Sequence, residues 1–193
     1  YHPIREDQLD LNKGPYELYQ GIGWVYRYVE ELAKCYFYKR NLKVGIIRTA
    51  NIYGPYDRFD DKKSHVIPAL IKRAIQKENP YTVWGNGDTI RDFIFVDDLT
   101  GGVLNVLAGE CNADPVNISN GIPTSIRELV NTVLNVCKHN IKPVFDPTKP
   151  TAVPYRVLDN TKSNTLFGTI NKTSLEKGIF QTVEWYLSND ARD

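Results

Sequence analysis

Apolar residues near the start of the chain recur at helical spacing. From about Tyr19 to Arg40, Val25, Val29, Leu32, Ala33 and Tyr36 fall at three- and four-residue intervals, which predicts a helix with one apolar face. The pattern then changes to the short apolar run "LKVGIIRTANIYGP", which stops at Asn51 and Gly54-Pro55 and reads as a buried strand ending in a loop. A second helix is expected from Ser64, as its cap, through "HVIPALIKRAIQK", with Pro68 in its early turns. "YTVWGNGD" and "IRDFIFVDDL" are two short strands divided by a Gly/Asn/Asp turn, with Asp97 or Asp98 expected to cap the helix "LTGGVLNVLAG". "PVNISNG" and "KPVFDP" are further strands, and "SIRELVNTVLNVCKH" and "TSLEKGIFQTVEWYLSN" are helices. Both of these helices open on a Ser or Thr with Glu following, at Ser125/Glu128 and Thr173/Ser174/Glu176. Strands alternating with helices predict an α/β fold with a mostly parallel sheet.

The preceding segments "YHPIREDQLD" and "LNKGPYE" are rich in charge and turn formers and read as irregular surface chain. Length and composition fit this picture: 193 residues, 41% hydrophobic and 24% charged, are enough for a sizeable core. The 24 basic and 23 acidic side chains leave a formal charge of +1 and are scattered, so no nucleic-acid-binding surface is expected. No apolar run approaches the roughly 20 residues that span a bilayer, and the first residues lack signal-peptide character, so no membrane association and a cytoplasmic location are expected. Cys35, Cys111 and Cys137 have no metal-ligand spacing and are expected as buried reduced thiols. The chain contains no Met and starts at Tyr1, which suggests a start inside a longer polypeptide.

In parallel sheets ligands sit beyond the carboxyl ends of the strands. The polar strand exits "RTANIYGP", "RDFIFVDD" and "NISNG" are therefore the places where a site is expected. No G-x-G-x-x-G sequence follows any strand, so the phosphate loop of a dinucleotide-binding sheet is absent from these residues.

"RTANIYGP", "SHVIPALI", "VWGNGDTIRDFIFVDDL" and the late "YRVLDNTKS…TSLEKGI", in that order, resemble the nucleotide-sugar epimerases, dehydratases and reductases of the extended short-chain dehydrogenase/reductase family. "SHVIPALI" followed by "VWG" and "RDF" is most similar to the GDP-L-fucose synthase-like branch. The resemblance implies the carboxyl-terminal part of a Rossmann-like fold plus a small α/β substrate-binding region. Residues 1–60 with 97–120 would be the remainder of the NAD(P)-binding domain, and 61–96 with 121–193 the sugar-nucleotide-binding region. It also implies NAD or NADP as cofactor, a GDP- or UDP-sugar as substrate, and a homodimer through the Tyr19–Arg40 helix.

The family's catalytic pair is a Tyr and a Lys four residues apart on one helix face, the cation making the phenol a better proton carrier. Anchored on "GW", Arg27 and Glu30, the resemblance places Ile22 at the Tyr position and Tyr26 at the Lys position. Neither replaces what is lost, and Tyr19 would take over the phenol only through an altered backbone. His65 matches the family's general acid, which also approaches the nicotinamide; imidazole gives and takes a proton near neutrality. Thr49, Ala50, Asn51 and Ile52 match contacts to the nicotinamide half of the cofactor. Arg91 matches a pyrophosphate ligand, Trp84 a base-stacking face, and Arg73, Arg156 and Asp159 further sugar-nucleotide contacts. Each also has a plain structural alternative: a hydrogen-bonded His, an Arg91–Asp92 surface ion pair, a core Trp, exposed charges. Three readings stand: an NAD(P)-dependent epimerase or reductase, a binding or scaffold homologue without the dyad, and a structural partner using "GWVYRYVEELAKCYFY" as a pairing face.

Overall fold

The computed structural model describes residues 2–60, 63–109, 111–151, 153–168 and 172–190. Two 3-10 turns, Glu6–Gln8 and Glu17–Tyr19, precede helix α1, Gln20–Arg40. Then follow β1 (Ile47–Thr49), β2 (Asn51–Tyr53), α2 (Val66–Ile75), β3 (Thr82–Trp84), β4 (Ile90–Arg91), β5 (Phe93–Phe95) and α3 (Val96–Ala108). The rest comprises β6 (Val116–Ile118), β7 (Thr124–Ser125), α4 (Ile126–Val136), β8 (Val144–Asp146), β9 (Tyr155–Arg156), α5 (Thr161–Phe167) and α6 (Leu175–Asp190). The α/β expectation holds. β1 pairs with β6, β2 with β5 and β3 with β8, all parallel, while β4 lies between a parallel β9 and an antiparallel β7. β7, β9 and α5 escape the sequence reading because two-residue strands and a seven-residue helix are too short to show a period.

Helix starts follow the capping chemistry in part. Ser125 caps α4, its hydroxyl accepting the Glu128 N–H at 3.0 Å, and Ser174 Oγ accepts the Lys177 N–H in the first turn of α6 at 3.3 Å. Two expected caps do not form. His65, not Ser64, is the N-cap of α2, and the Ser64 hydroxyl instead donates to the Arg58 carbonyl at 2.8 Å. At α3 the cap position is Phe95, because β5 runs directly into the helix. Asp97 and Asp98 fall in its first turn, where carboxylates meet the positive end of the helix. Asp98 also accepts the N–H and hydroxyl of Thr173, at 2.7 and 3.1 Å, and so ties α3 to the entry of α6.

The main core lies between β5 with β2 and the three helices α2, α4 and α6. Phe93, Phe95, Tyr53, Ile67, Ile71, Leu129, Val133 and Ile179 are buried there. Successive strand side chains point to opposite faces, so Ile94 belongs to a second, smaller cluster with Val116 and Ile118, against which Ile47, Ala50 and Leu99 pack. All three β5 residues are therefore buried, the mark of a strand covered on both faces. Helix α6 approaches so closely that a β-carbon at Gly178 would meet the Tyr53 hydroxyl.

α1 is built differently. The expected apolar face, with Val25, Val29, Leu32 and Tyr36, is exposed, and the helix buries no residue. Polar clamps hold it instead. Arg48 on β1 forms a two-point ion pair with Glu30 at 2.9 and 2.6 Å and donates to the Glu6 carbonyl at 2.8 Å, while Arg27 donates to the Lys13 carbonyl. Cys35 shares this exposure, against the expectation of a buried thiol; Cys111 and Cys137 are part-buried, and all three are free. Burial pushes the Cys137 thiol up to about 11.

The amino-terminal segment is not the loose surface chain that its composition suggests. Ile4 bridges Leu158 in parallel fashion, its N–H donating to the Val157 carbonyl and its carbonyl accepting from Asp159 N. Asn117 Nδ2 donates to the Ile4 and Asp159 carbonyls at 2.9 and 3.0 Å, and Glu6 accepts the Asn117 N–H at 2.7 Å.

Leu129 is fully buried where α4 meets α2 and α6. Leu129→Ala is expected to lower unfolding free energy by about 2–5 kcal/mol in urea titrations. Leu187→Ala on the exposed side of α6 should stay within about 0.5 kcal/mol.

Candidate functional site

β2, β4 and β9 meet in one cluster at the strand exits. Arg91 and Arg156 are register partners on adjacent parallel strands, so their side chains leave the same face side by side. Arg91 is 7% exposed, and its guanidinium donates to the Ile90 carbonyl at 2.6 Å. Arg156 donates to Asn51 Oδ1 at 2.6 Å and stands 5.8 Å from the centre of the Tyr19 ring. Asn51 in turn donates through Nδ2 to the Asp92 carbonyl at 2.9 Å. Burial lowers the Arg91 pKa from its ordinary value, the positive Arg156 lowers it further, and Tyr19 opposes the shift. Among the described residues no carboxylate forms an ion pair with either guanidinium.

Asp92 is not the partner of Arg91. Adjacent strand residues face opposite ways, and the Asp92 carboxyl, 1% exposed, is turned inward to accept the Gly121 N–H at 3.1 Å with both oxygens and the Leu158 N–H at 3.2 Å. Gly121 sits at φ +74°, where a side chain would meet Asn160, so the backbone comes close enough to donate. Burial pushes the Asp92 carboxyl above the usual range, against the pull of Leu158 N–H, the Ser119 hydroxyl, Gly121 N–H and the Lys172 charge. Sequence reading missed this residue as a determinant of the site. Its signal was an acid between Arg91 and the apolar "FIF", where a strand buried on both faces leaves a charge only inward paths.

The remaining expected residues are spread around this cluster. Thr49, exposed at the end of β1, lines a cavity of about 840 Å³ between β1 and α1 together with Tyr19, Gly23 and Tyr26. Ala50 packs on the smaller core, and Ile52 is exposed on β2. His65 is 73% exposed, with Nδ1 3.1 Å from Asp57 Oδ1. Trp84, at the end of β3, is 64% exposed and is thus not core packing. Arg73 is engaged inside the protein: it bonds Glu78 at 2.6 and 2.7 Å and the Thr82 carbonyl at 2.6 Å, and lies over the Tyr81 ring at 4.8 Å. Asp159 accepts the Thr161 N–H at 2.7 Å and lines a separate cavity of about 480 Å³ with Arg5, Glu6 and Arg48. Asn51, Arg91 and Arg156 are thus brought together, whereas Arg73 and Asp159 have other partners.

The family model described as "NAD dependent epimerase/dehydratase family" matches residues 8–119, more than half of the chain. The chain belongs to the NAD dependent epimerase/dehydratase family. The match runs through α1, β1, β2, β4 and β5 and ends after β6, so the strand exits that carry Thr49, Asn51 and Arg91 lie inside it. GDP-L-fucose synthase of Escherichia coli (strain K12) is 36% identical over 159 residues, covering 76% of this chain and 49% of that protein. GDP-L-fucose synthase of Sinorhizobium fredii is 32% identical over 195 residues, covering 98% of this chain and 61% of that protein. The crystal structure of a GDP-L-fucose synthetase from Naegleria fowleri bound to NADP superposes with a TM-score of 0.88 at 23% identity, over 99% of this chain and 62% of that one, which shows a shared fold. The chain spans about half the length of the curated relatives it matches.

Asp92→Ala leaves the part-buried Gly121 and Leu158 N–H groups without their acceptor. It is expected to destabilise the protein by about 2–5 kcal/mol, read by denaturant titration.

Proposed function

We propose that this chain serves in an NAD(P)-dependent nucleotide-sugar epimerase or reductase acting on a GDP- or UDP-sugar. The observation that carries the reading is the Arg91–Arg156 pair: two guanidinium groups held side by side, one of them buried, with no carboxylate among the described residues to neutralise them. Such a pair is costly unless an anion completes it, and a diphosphate offers oxygens in the spacing that planar guanidinium donors match. The similarity to GDP-L-fucose synthases supports the same substrate class. Trp84, exposed and flat, suits the base, while Arg73 would reach a ligand only by leaving Glu78, and Asp159 lines a separate cavity and accepts the Thr161 N–H.

The residues present fit the nicotinamide half of the cofactor: an exposed Thr49 hydroxyl at a strand exit, apolar Ala50 and Ile52, and the open cavity beside Thr49. A bound NAD(P) supplies hydride chemistry. The chain's own share is to bind the diphosphate through Arg91 and Arg156, and to move a proton at His65 to or from carbon next to a ketone. The division into 1–60 with 97–120 and 61–96 with 121–193 belongs to this reading; the smaller core, built on β1 and β6, lies largely in the first part. A cytoplasmic site of action is supported by three free cysteines, one of them exposed.

A second reading, a binding homologue without hydride transfer, is favoured by one observation. Ile22 and Tyr26, at the dyad positions, are 51% and 65% exposed on α1, and neither offers a cation.

Calorimetric titration of the full natural polypeptide with GDP- and UDP-sugars, followed by NMR of solvent deuterium exchange into a keto-sugar, tests both readings. Arg91→Ala is expected to weaken binding by about 2 kcal/mol, roughly thirtyfold. His65→Asn should leave affinity nearly unchanged and abolish exchange. Binding that depends on Arg91 without any exchange would select the second reading, and no binding removes both. We further propose that α1 pairs two copies through its aromatic positions Trp24, Tyr28 and Tyr38. Sedimentation should report a dimer, and a strict monomer at high concentration counts against it.

A further inference from the structure

His65 has one ring nitrogen already engaged. Nδ1 lies 3.1 Å from Asp57 Oδ1, while the rest of the ring stands open at the amino end of α2. An ionised carboxylate can only accept, so this contact requires the proton on Nδ1 and leaves Nε2 as the free position. We propose that Asp57 is the positioning residue of His65, selecting the Nδ1–H tautomer and fixing the ring so that Nε2 faces the substrate as the proton-transferring atom. The proposal rests on the reading of His65 as general acid and deepens it.

The loop that carries Asp57 is braced for such a role. Asp57 Oδ1 also accepts the Arg58 N–H at 2.8 Å, and the Asp57 N–H donates to the Gly54 carbonyl at 3.3 Å. On either side, Tyr56 packs on Trp185 at 5.0 Å and Phe59 stacks on Tyr186 at 4.3 Å, which pins the loop to α6. The backbone of His65 is fixed as well, since its carbonyl accepts the Ala69 N–H at 3.1 Å in the first turn of α2. Only the imidazole torsions remain free, and the carboxylate restricts those. Asp57 Oδ2 is buried and, among the described residues, has no hydrogen-bond partner. A carboxylate oxygen sequestered in this way is costly.

The two other histidines, His2 and His139, leave few imidazole signals to assign. Long-range ¹⁵N–¹H NMR of the ring should show the Nδ1–H tautomer for His65 in the wild-type protein. Asp57→Ala should shift it towards Nε2–H, and Asp57→Asn, whose amide oxygen still accepts, should retain it. In the exchange reaction with a keto-sugar, Asp57→Ala is expected to lower kcat by about tenfold or more with KM nearly unchanged, and Asp57→Asn to recover most of the loss. An Nε2–H tautomer in the wild type, or a tautomer and kcat that Asp57→Ala leaves alone, overturns the proposal. Full exchange in His65→Asn overturns the reading of His65 itself, whereas exchange lost in His65→Asn and kept in Asp57→Ala overturns only the part given to Asp57.

Discussion

The buried Asp92 is the point on which the strand exits depend. Its carbonyl holds the backbone and side chain of Asn51, and its carboxyl holds the Gly121 and Leu158 N–H groups, so segments after β1, β6 and β9 are tied to the turn between β4 and β5. Each tie consumes a backbone group that burial would otherwise leave unpaired. The carboxyl meets a desolvation penalty, visible in its raised pKa, which the convergent N–H donors partly offset. Because Arg91 is the preceding residue and Arg156 lies two residues before Leu158, the same knot sets where both guanidinium groups emerge.

Much of the fold was legible because periodicity reports burial. "FIF" and "VNI" are continuous apolar runs and became strands covered on both faces; α4, with Leu129, Val130, Val133 and Leu134 inside, follows its 3.6-residue pattern. The apolar stripe of α1 is equally clear, yet Val25, Val29 and Leu32 are exposed, since periodicity states which face seeks a partner and not whether these residues supply one. Of the site, Asn51 could be picked out from its position at a strand exit, and Arg91 and Arg156 from the resemblance to the family. Their mutual contact could not, because it is made by register across strands separated by long stretches of sequence. Arg73 shows the opposite limit. An Arg eight residues past His65 is a plausible ligand in a linear reading, but Glu78 lies five residues further on and captures it.

The dyad positions give the molecule an uneven character. The Arg91–Arg156 cluster is assembled from two mutually repelling cations, one of them buried, an arrangement that structural packing alone does not favour. On α1, by contrast, Ile22 and Tyr26 bring bulk without charge. In the proposed reading, recognition falls to residues on β2, β4 and β9 and the dyad positions to α1, which are different elements. A change on α1 therefore need not disturb the geometry of the strand exits.

The docking of the amino-terminal segment also bears on the order in which the protein can assemble. Ile4 and Glu6 find their partners at Asn117, Val157, Leu158 and Asp159, contacts that span 113 positions of sequence in the case of Asn117 with Ile4. A ribosome releases these residues well before their partners, and at about 5–20 residues per second the last of those partners follows only after an interval on the order of ten seconds. During that time Arg48 has Glu30 to bind but the Glu6 carbonyl is not yet docked, and Asn117 must wait as well. The segment around Ile4 and Glu6 is therefore secured long after it is made, and a nascent-chain chaperone that recognises extended segments would meet it exposed.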